Sequence, residues 1–209
     1  MTRPATARSY NRWATDYDRR WRHYTDVTLG VLLDHLALDR DRAILDVGCG
    51  TGTLLARLRN RVSHARLIGV DPSDGMLCLA REKLADEAVD LYDGTAYQLP
   101  LDDQSVDVVT MANMVHYLTR PSVACNEARR VLRPGGALAI VDYVIRGGRG
   151  SVIDGLIRLY DRGHVRVHDT RELRAILDAA GLHVTHASRF PIDCIFAGVL
   201  VIGEVPAAA

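Results

Sequence analysis

Asp46-Val47-Gly48-Cys49-Gly50-Thr51-Gly52 is the stretch that decides how this chain folds. An apolar run, Ala43–Val47, leads straight into it, and Leu54, Leu55, Leu58 and Val62 follow on one helical face. The pattern is strand, glycine turn, helix. Glycines at such a turn permit left-handed dihedrals and let a ligand touch the backbone. In an open α/β sheet this turn falls at the carboxyl edge of the strands, where ligands bind. Taken alone, the loop could be no more than a tight turn. Its spacing is G-x-G-x-G, with Thr53 standing where a dinucleotide fingerprint has its third glycine. Asp46, on the strand before the loop, could accept a bond from a ligand ammonium or help hold the loop. Asp71 ends the next apolar run and is placed to take both hydroxyls of a ribose. The Lys-Ser/Thr of a triphosphate-binding loop is missing from this stretch.

Outward from the loop the same alternation continues. Apolar runs at 66–70, 88–92, 106–111 and 137–143 read as buried strands. Met76, Leu77, Ala80 and Leu84 make one helical stripe between them. Ala124, Ala128, Val131 and Leu132 make another, stopped by Pro134-Gly135-Gly136. Strand–helix–strand alternation predicts right-handed crossovers and a parallel sheet. Leu29, Leu32, Leu33 and Leu36 predict an extra helix ahead of this core. Beyond it, Asp169 and Glu172 form an Asp variant of the capping box before Leu173, Ile176, Leu177 and Ala180, with Gly181 as the stop. Runs 183–190 and 192–201 leave no room for a helix, so they must be antiparallel. The predicted fold is α/β and Rossmann-like: a mostly parallel seven-stranded sheet, a terminal antiparallel hairpin, and helices on both faces.

Composition narrows the function. The chain has 209 residues, the size of one domain. With 48% hydrophobic and 25% charged residues it is globular rather than disordered. Lys plus Arg equals Asp plus Glu at 26 each, which removes the electrostatic case for nucleic acid or an anionic membrane as main partner. Lys83 is the only lysine beside 25 arginines, a bias read as compositional rather than chemical. Cys49, Cys78, Cys125 and Cys194 are scattered without a C-x-x-C pair, which argues against disulfides or a zinc knuckle. No apolar secretory core follows Met1, and the longest apolar run, 195–203, is too short to span a bilayer. A soluble, cytoplasmic protein is expected.

At this point the sequence resembles the class I S-adenosylmethionine-dependent methyltransferases. The resemblance is carried by Ile44-Leu45-Asp46-Val47-Gly48-Cys49-Gly50-Thr51-Gly52, Gly69-Val70-Asp71-Pro72-Ser73, Leu99-Pro100-Leu101 and Val131-Leu132-Arg133-Pro134-Gly135-Gly136. Tyr10-Asn11-Arg12-Trp13-Ala14 and Tyr17-Asp18 are similar to the N-terminal segment of the small ubiquinone/menaquinone-biosynthesis C-methyltransferases. The resemblance implies S-adenosylmethionine as cofactor and S-adenosylhomocysteine as product. It implies that Asp46, with the Gly48-Cys49-Gly50 backbone, holds the methionine end. Asp71 would take the ribose, Pro72 and Met76 would pack on the adenine, and Thr95 and Ala96 would meet its edge. Asn113 would lie near the cofactor, and Tyr17 is counted among its contacts. Thr95 departs from the family pattern, which usually has Asp there. A hydroxyl can accept the same bond without charge assistance.

Methyl transfer is an in-line displacement, so the protein's task is mainly alignment. A base is needed only where the acceptor must lose a proton. His116, just past Asn113, is the candidate catalytic base, the alternative being a structural loop histidine. Tyr117 and Tyr143 would line an acceptor pocket or fill the core. Tyr10, Trp13, Tyr17, Trp21 and Tyr24, interleaved with Arg12, Arg19, Arg20 and Arg22, read either as an aromatic lid over the sulfonium or as a helix packed on the sheet edge. His164 and His168 are four apart but lack a third ligand, so no metal is predicted. His183 and His186 should point to opposite faces of a strand. Gly147, Gly148 and Gly150, followed by Ile153, Leu156, Ile157 and Tyr160, suggest a short helix over the acceptor pocket.

The layout expected is one domain over 1–209: an N-terminal helical lid at 1–40, a cofactor-binding core at 42–145, a substrate cap at 146–168, and a C-terminal helix and hairpin at 169–205. The residues outside the core leave no room for a recognition domain, so the expected partner is a small acceptor, aromatic or apolar, rather than nucleic acid or protein. No stable membrane association is expected, and the assembly would be a monomer or homodimer. Two rivals remain. A nicotinamide-dependent oxidoreductase is disfavoured by the glycine spacing, and a scaffold that binds the cofactor with weak turnover shares the fold.

Overall fold

The computed structural model describes residues 18–38, 42–85, 87–146 and 164–207. Helix α1 (Arg22–His35) leads into β1 (Ala43–Val47), α2 (Thr53–Arg61), β2 (Arg66–Asp71), α3 (Asp74–Lys83), β3 (Val89–Asp93) and β4 (Val106–Ala112). A 3-10 turn (Val115–Tyr117), α4 (Pro121–Val131), β5 (Leu132–Ile145), α5 (Thr170–Ala179), β6 (His183–Pro191) and β7 (Phe196–Glu204) complete the chain. The seven strands lie in the order β3-β2-β1-β4-β5-β7-β6. β1 pairs in parallel with both β2 and β4, while β7 runs antiparallel between β5 and β6. The mostly parallel sheet and terminal hairpin are as the sequence predicted.

Local chemistry explains the elements. β1 is buried along its whole length, as a central parallel strand must be. The Ser73 hydroxyl caps α3 by accepting from the Met76 amide. Asp169 and Glu172 form both bonds of the capping box on α5. One apolar layer packs α4 and α5 on the sheet through residues such as Ala128, Val131, Leu173 and Leu177. The other packs α1 and α2 through Leu29, Leu32, Leu55 and Leu58.

Three local expectations change. β5 starts at Leu132 rather than Ala137: Val106 pairs with Leu132 and Val108 already with Ala137, so Arg133 to Gly136 bulge out, with Gly135 at φ +78°. β7 starts at Phe196 rather than Ile192, because Asp193 Oδ1 accepts from the Ile195 and Phe196 amides, both at 2.7 Å, and makes 192–195 a turn. His183 and His186 do not alternate. They stand opposite Glu204 and Ile202, two residues of like parity, because Thr185 is the extra residue of a bulge. The expected cap helix over Ile153 to Tyr160, and Tyr10, Trp13 and Tyr17 of the expected lid, lie outside the described residues.

Candidate active site

The strand order reverses between β1 and β4, and the loops after β1, β2 and β4 converge at their carboxyl ends. The turn after β1 depends on glycine: Gly48, Gly50 and Gly52 have φ of +72°, +54° and +76°. The Gly48 and Cys49 amides both donate to the Val70 carbonyl, at 2.7 and 3.1 Å, which fixes the loop against β2. Asp71 completes the join. Its Oδ2 accepts from the Gly50 amide at 2.9 Å and its Oδ1 from the Ser73 amide at 2.8 Å. Met114 lies against the loop from the β4 side, its Cγ 3.1 Å from where a Cβ on Gly48 would sit.

Two buried carboxylates face this turn without a cation bonded to either among the described residues. Asp46 is 2% exposed and, among the described residues, accepts only the Thr110 hydroxyl, at 2.8 Å. Burial lifts its carboxyl to about 7, with the Thr110 bond opposing and the Asp71 charge adding. Burial lifts Asp71 to about 6, held back by its two amide donors and pushed up by Asp93. Such groups are primed for a ligand that brings hydroxyls or positive charge.

The remaining cofactor candidates sit around them. The Gly94 amide donates to the Asp71 carbonyl at 3.3 Å, and Thr95 bridges to Gln98, so the Thr95-Ala96 turn lies beside the end of β2. Pro72 is half-buried and Met76 buried, on the turn after β2 and the first turn of α3. Asn113 follows β4 directly, in the left-handed region at φ +56°. Its Nδ2 donates to Thr28 Oγ1 at 2.9 Å, while its buried Oδ1 has no hydrogen-bond partner among the described residues. Cys49 turns its side chain into the core, where Sγ lies 2.9 Å from a Cβ position on Gly69. Only its backbone is left for a ligand. Tyr17 lies outside the described residues.

His116 is 4% exposed, and its Nδ1 lies 2.7 Å from Asp142 Oδ1. Asp142 also accepts the amides of His116 at 3.1 Å and Tyr143 at 2.8 Å. A carboxylate at Nδ1 places the proton there and leaves Nε2 as the basic nitrogen. The imidazole packs among the rings of Tyr117, Tyr143 and His164, with centroids 4.0, 4.8 and 5.6 Å away. Tyr24 of α1 meets Tyr143 edge-on at 5.8 Å. The His164 Nδ1 lies 3.2 Å from the Tyr143 hydroxyl, and the Val165 and Arg166 amides donate to the His116 carbonyl at 2.9 and 3.1 Å. His164 is thus paired with Tyr143, whereas His168 faces Glu172 at 3.6 Å. Among the described residues no group of three or more His, Cys, Asp or Glu could hold a metal.

Asp142 escaped the sequence reading, although a carboxylate inside the apolar run Ala137-Leu138-Ala139-Ile140-Val141-Asp142-Tyr143-Val144 was a visible signal. Thr110, the partner of Asp46, carried no such mark, since threonine is common in strands.

Residues 45–140 match a family model described as a methyltransferase domain. The sheet order and the glycine turn agree with that match, and this part of the chain is similar to the methyltransferase domain. A ubiquinone/menaquinone biosynthesis C-methyltransferase of Ruegeria is 36% identical over 135 residues, 62% of this chain and 52% of that protein. The chain spans about a third to a half of the length of the first curated relatives it matches. A Haloferax volcanii chain solved in complex with the Trm112 methyltransferase activator has a TM-score of 0.83 at 22% identity, covering 94% of this chain and 97% of that one. Geranyl diphosphate C-methyltransferase from Streptomyces coelicolor, solved with S-adenosylhomocysteine, has a TM-score of 0.74 at 17% identity, over 86% and 75% of the two chains. Both likenesses speak for the fold. No described helix is long and apolar enough to cross a membrane.

Proposed function

We propose that this chain transfers the methyl group of S-adenosylmethionine to a small, mostly aromatic or apolar acceptor, with His116 as the base that takes the acceptor's proton. When bound, the cofactor supplies the electrophilic methyl and its own leaving group. Asp71 accepts the two ribose hydroxyls, and Asp46 and the Gly48 and Gly50 backbone receive the methionine end. Pro72, Met76 and the Thr95-Ala96 turn flank the adenine. Asn113 Oδ1, a buried acceptor lacking a donor among the described residues, fits a donor on the ligand.

The observation that carries this reading is the buried pair of His116, on the 3-10 turn after β4, with Asp142 of β5. Asp142 holds the imidazole by Nδ1, so Nε2 is free to receive a proton, and the imidazolium then formed gains a carboxylate partner. A phenol or an activated ring carbon needs such a base, because a proton must leave. Tyr24, Tyr143 and Phe196, stacked edge to face beside it, offer an apolar wall for such an acceptor. The balanced charge supports a small molecule over nucleic acid. A cytoplasmic monomer or homodimer, laid out as lid, core, cap and C-terminal hairpin, goes with this reading.

Calorimetry with S-adenosylhomocysteine and NAD, then turnover of S-adenosylmethionine over a panel of phenols and quinols, tests it. Binding of the first alone, with product formed and turnover lowered roughly 10²-fold in His116→Ala, is expected. NAD binding without S-adenosylhomocysteine binding overturns the class. Cofactor binding with no product on any acceptor leaves the scaffold reading in its place.

A further inference from the structure

Lys83 is the only lysine among 26 basic residues, and it sits at the hub of a side-chain cluster on the outer side of the glycine turn. Its Nζ donates to Asp18 Oδ2 at 2.5 Å, Thr51 Oγ1 at 2.9 Å and Thr53 Oγ1 at 2.8 Å. Asp18 Oδ1 in turn accepts from the Thr51 hydroxyl at 2.7 Å and the Thr53 hydroxyl at 3.3 Å. The proton count closes: three ammonium hydrogens meet three oxygens, and each hydroxyl accepts from Lys83 and donates to Asp18. Burial works against ionised Asp18, yet the bonds from Lys83 and both threonines hold its carboxyl below the ordinary range.

The cluster joins three parts of the molecule. Lys83 ends α3, Asp18 lies at the entry to α1, and Thr51 and Thr53 bracket Gly52, whose φ is +76°. The turn is therefore gripped from within by Asp71 on the Gly50 amide and from without by Lys83 on the two threonines. The residue type matters. A guanidinium spreads its hydrogens in a plane suited to a flat carboxylate, whereas three oxygens gathered round one point suit an ammonium. In a chain that otherwise uses arginine, this position has a chemical reason to be lysine.

We propose that Lys83 is a positioning residue for the cofactor: by clamping Asp18, Thr51 and Thr53 it preorganises the glycine turn, so that the loop backbone meets the ligand without reordering. Preorganisation raises affinity by removing an ordering cost at binding. The proposal rests on the glycine turn being the cofactor site.

The test compares S-adenosylhomocysteine affinity and amide hydrogen exchange in the full chain, wild type against Lys83→Arg, Asp18→Asn and the double variant. Lys83→Arg keeps the charge, and Asp18→Asn changes a half-exposed side chain, so both should fold. We expect each to weaken affinity roughly tenfold, a loss on the scale of one charged hydrogen bond. The Gly50 and Gly52 amides should exchange faster while those of β4 and β5 do not. The double variant should be little worse than either single, since the two residues act through one cluster. Wild-type affinity in both single variants overturns the clamp, as does a loss that adds fully in the double. Failure of the wild type itself to bind S-adenosylhomocysteine overturns instead the cofactor reading beneath it.

Discussion

Asp142 sits in the buried second half of β5 and accepts from the His116 ring and two backbone amides, so donors on three sides balance its charge. Asp142→Asn keeps the shape but turns an acceptor into a donor towards Nδ1. The imidazole then carries its proton on Nε2 and can no longer accept there. Turnover should fall roughly 10²-fold or more while S-adenosylhomocysteine affinity stays near wild type. Unchanged turnover would leave Asp142 a purely structural anchor. Asp46 and Asp71 make a different prediction. Their folded-state values of about 7 and 6 lie above the ordinary 3.8, so the folded chain holds protons that the unfolded chain has lost. Their contribution to stability is therefore greatest in acid and declines as pH rises from about 4 to about 7. A ligand that bonds to the ionised forms reverses this locally. S-adenosylhomocysteine binding should release protons between pH 5.5 and 7.5, on the order of a fraction of one to one per site, and tighten as pH rises. Calorimetry in buffers of different ionisation enthalpy measures the release, and affinity flat across that range would remove both carboxylates from the contact.

At the scale of elements, the helices obey local rules and the strand ends do not. The α5 capping box follows from Asp169 and Glu172 three residues apart, and both bonds form. Asp169→Ala should lower stability by about 1 kcal/mol in urea unfolding, the usual cost of an N-cap. A change below about 0.3 kcal/mol would show that tertiary packing of Leu173 and Leu177 fixes the helix by itself. Strand limits were less legible. The early start of β5 depends on Val106 finding Leu132, and the late start of β7 on Asp193 capturing two amides. Neither pairing shows in a run of apolar residues. The same holds for His183 and His186, where a bulge cancels an alternation that the strand period would otherwise impose.

For the whole molecule, the amino-acid order determined the class of fold. Alternating strands and helical stripes, a hairpin too short for a crossover, and glycines followed by Asp71 left few topologies open. That part was legible because periodicity, capping and glycine dihedrals are local and repeat along the chain. The resemblance read from four motifs pointed to the same family as the match over residues 45–140. What the tertiary structure decided is which distant residues meet. Asp46 with Thr110, Asn113 with Thr28, His116 with Asp142 and Lys83 with Asp18 are 64, 85, 26 and 65 positions apart. The physical reason lies in the parallel sheet. Each crossover carries the chain back before the next strand, so neighbours at the carboxyl edge are separated by a whole strand and helix or more. A sequence pattern can mark a residue as able to give or take a proton, but only the strand order and the register say which residue stands opposite.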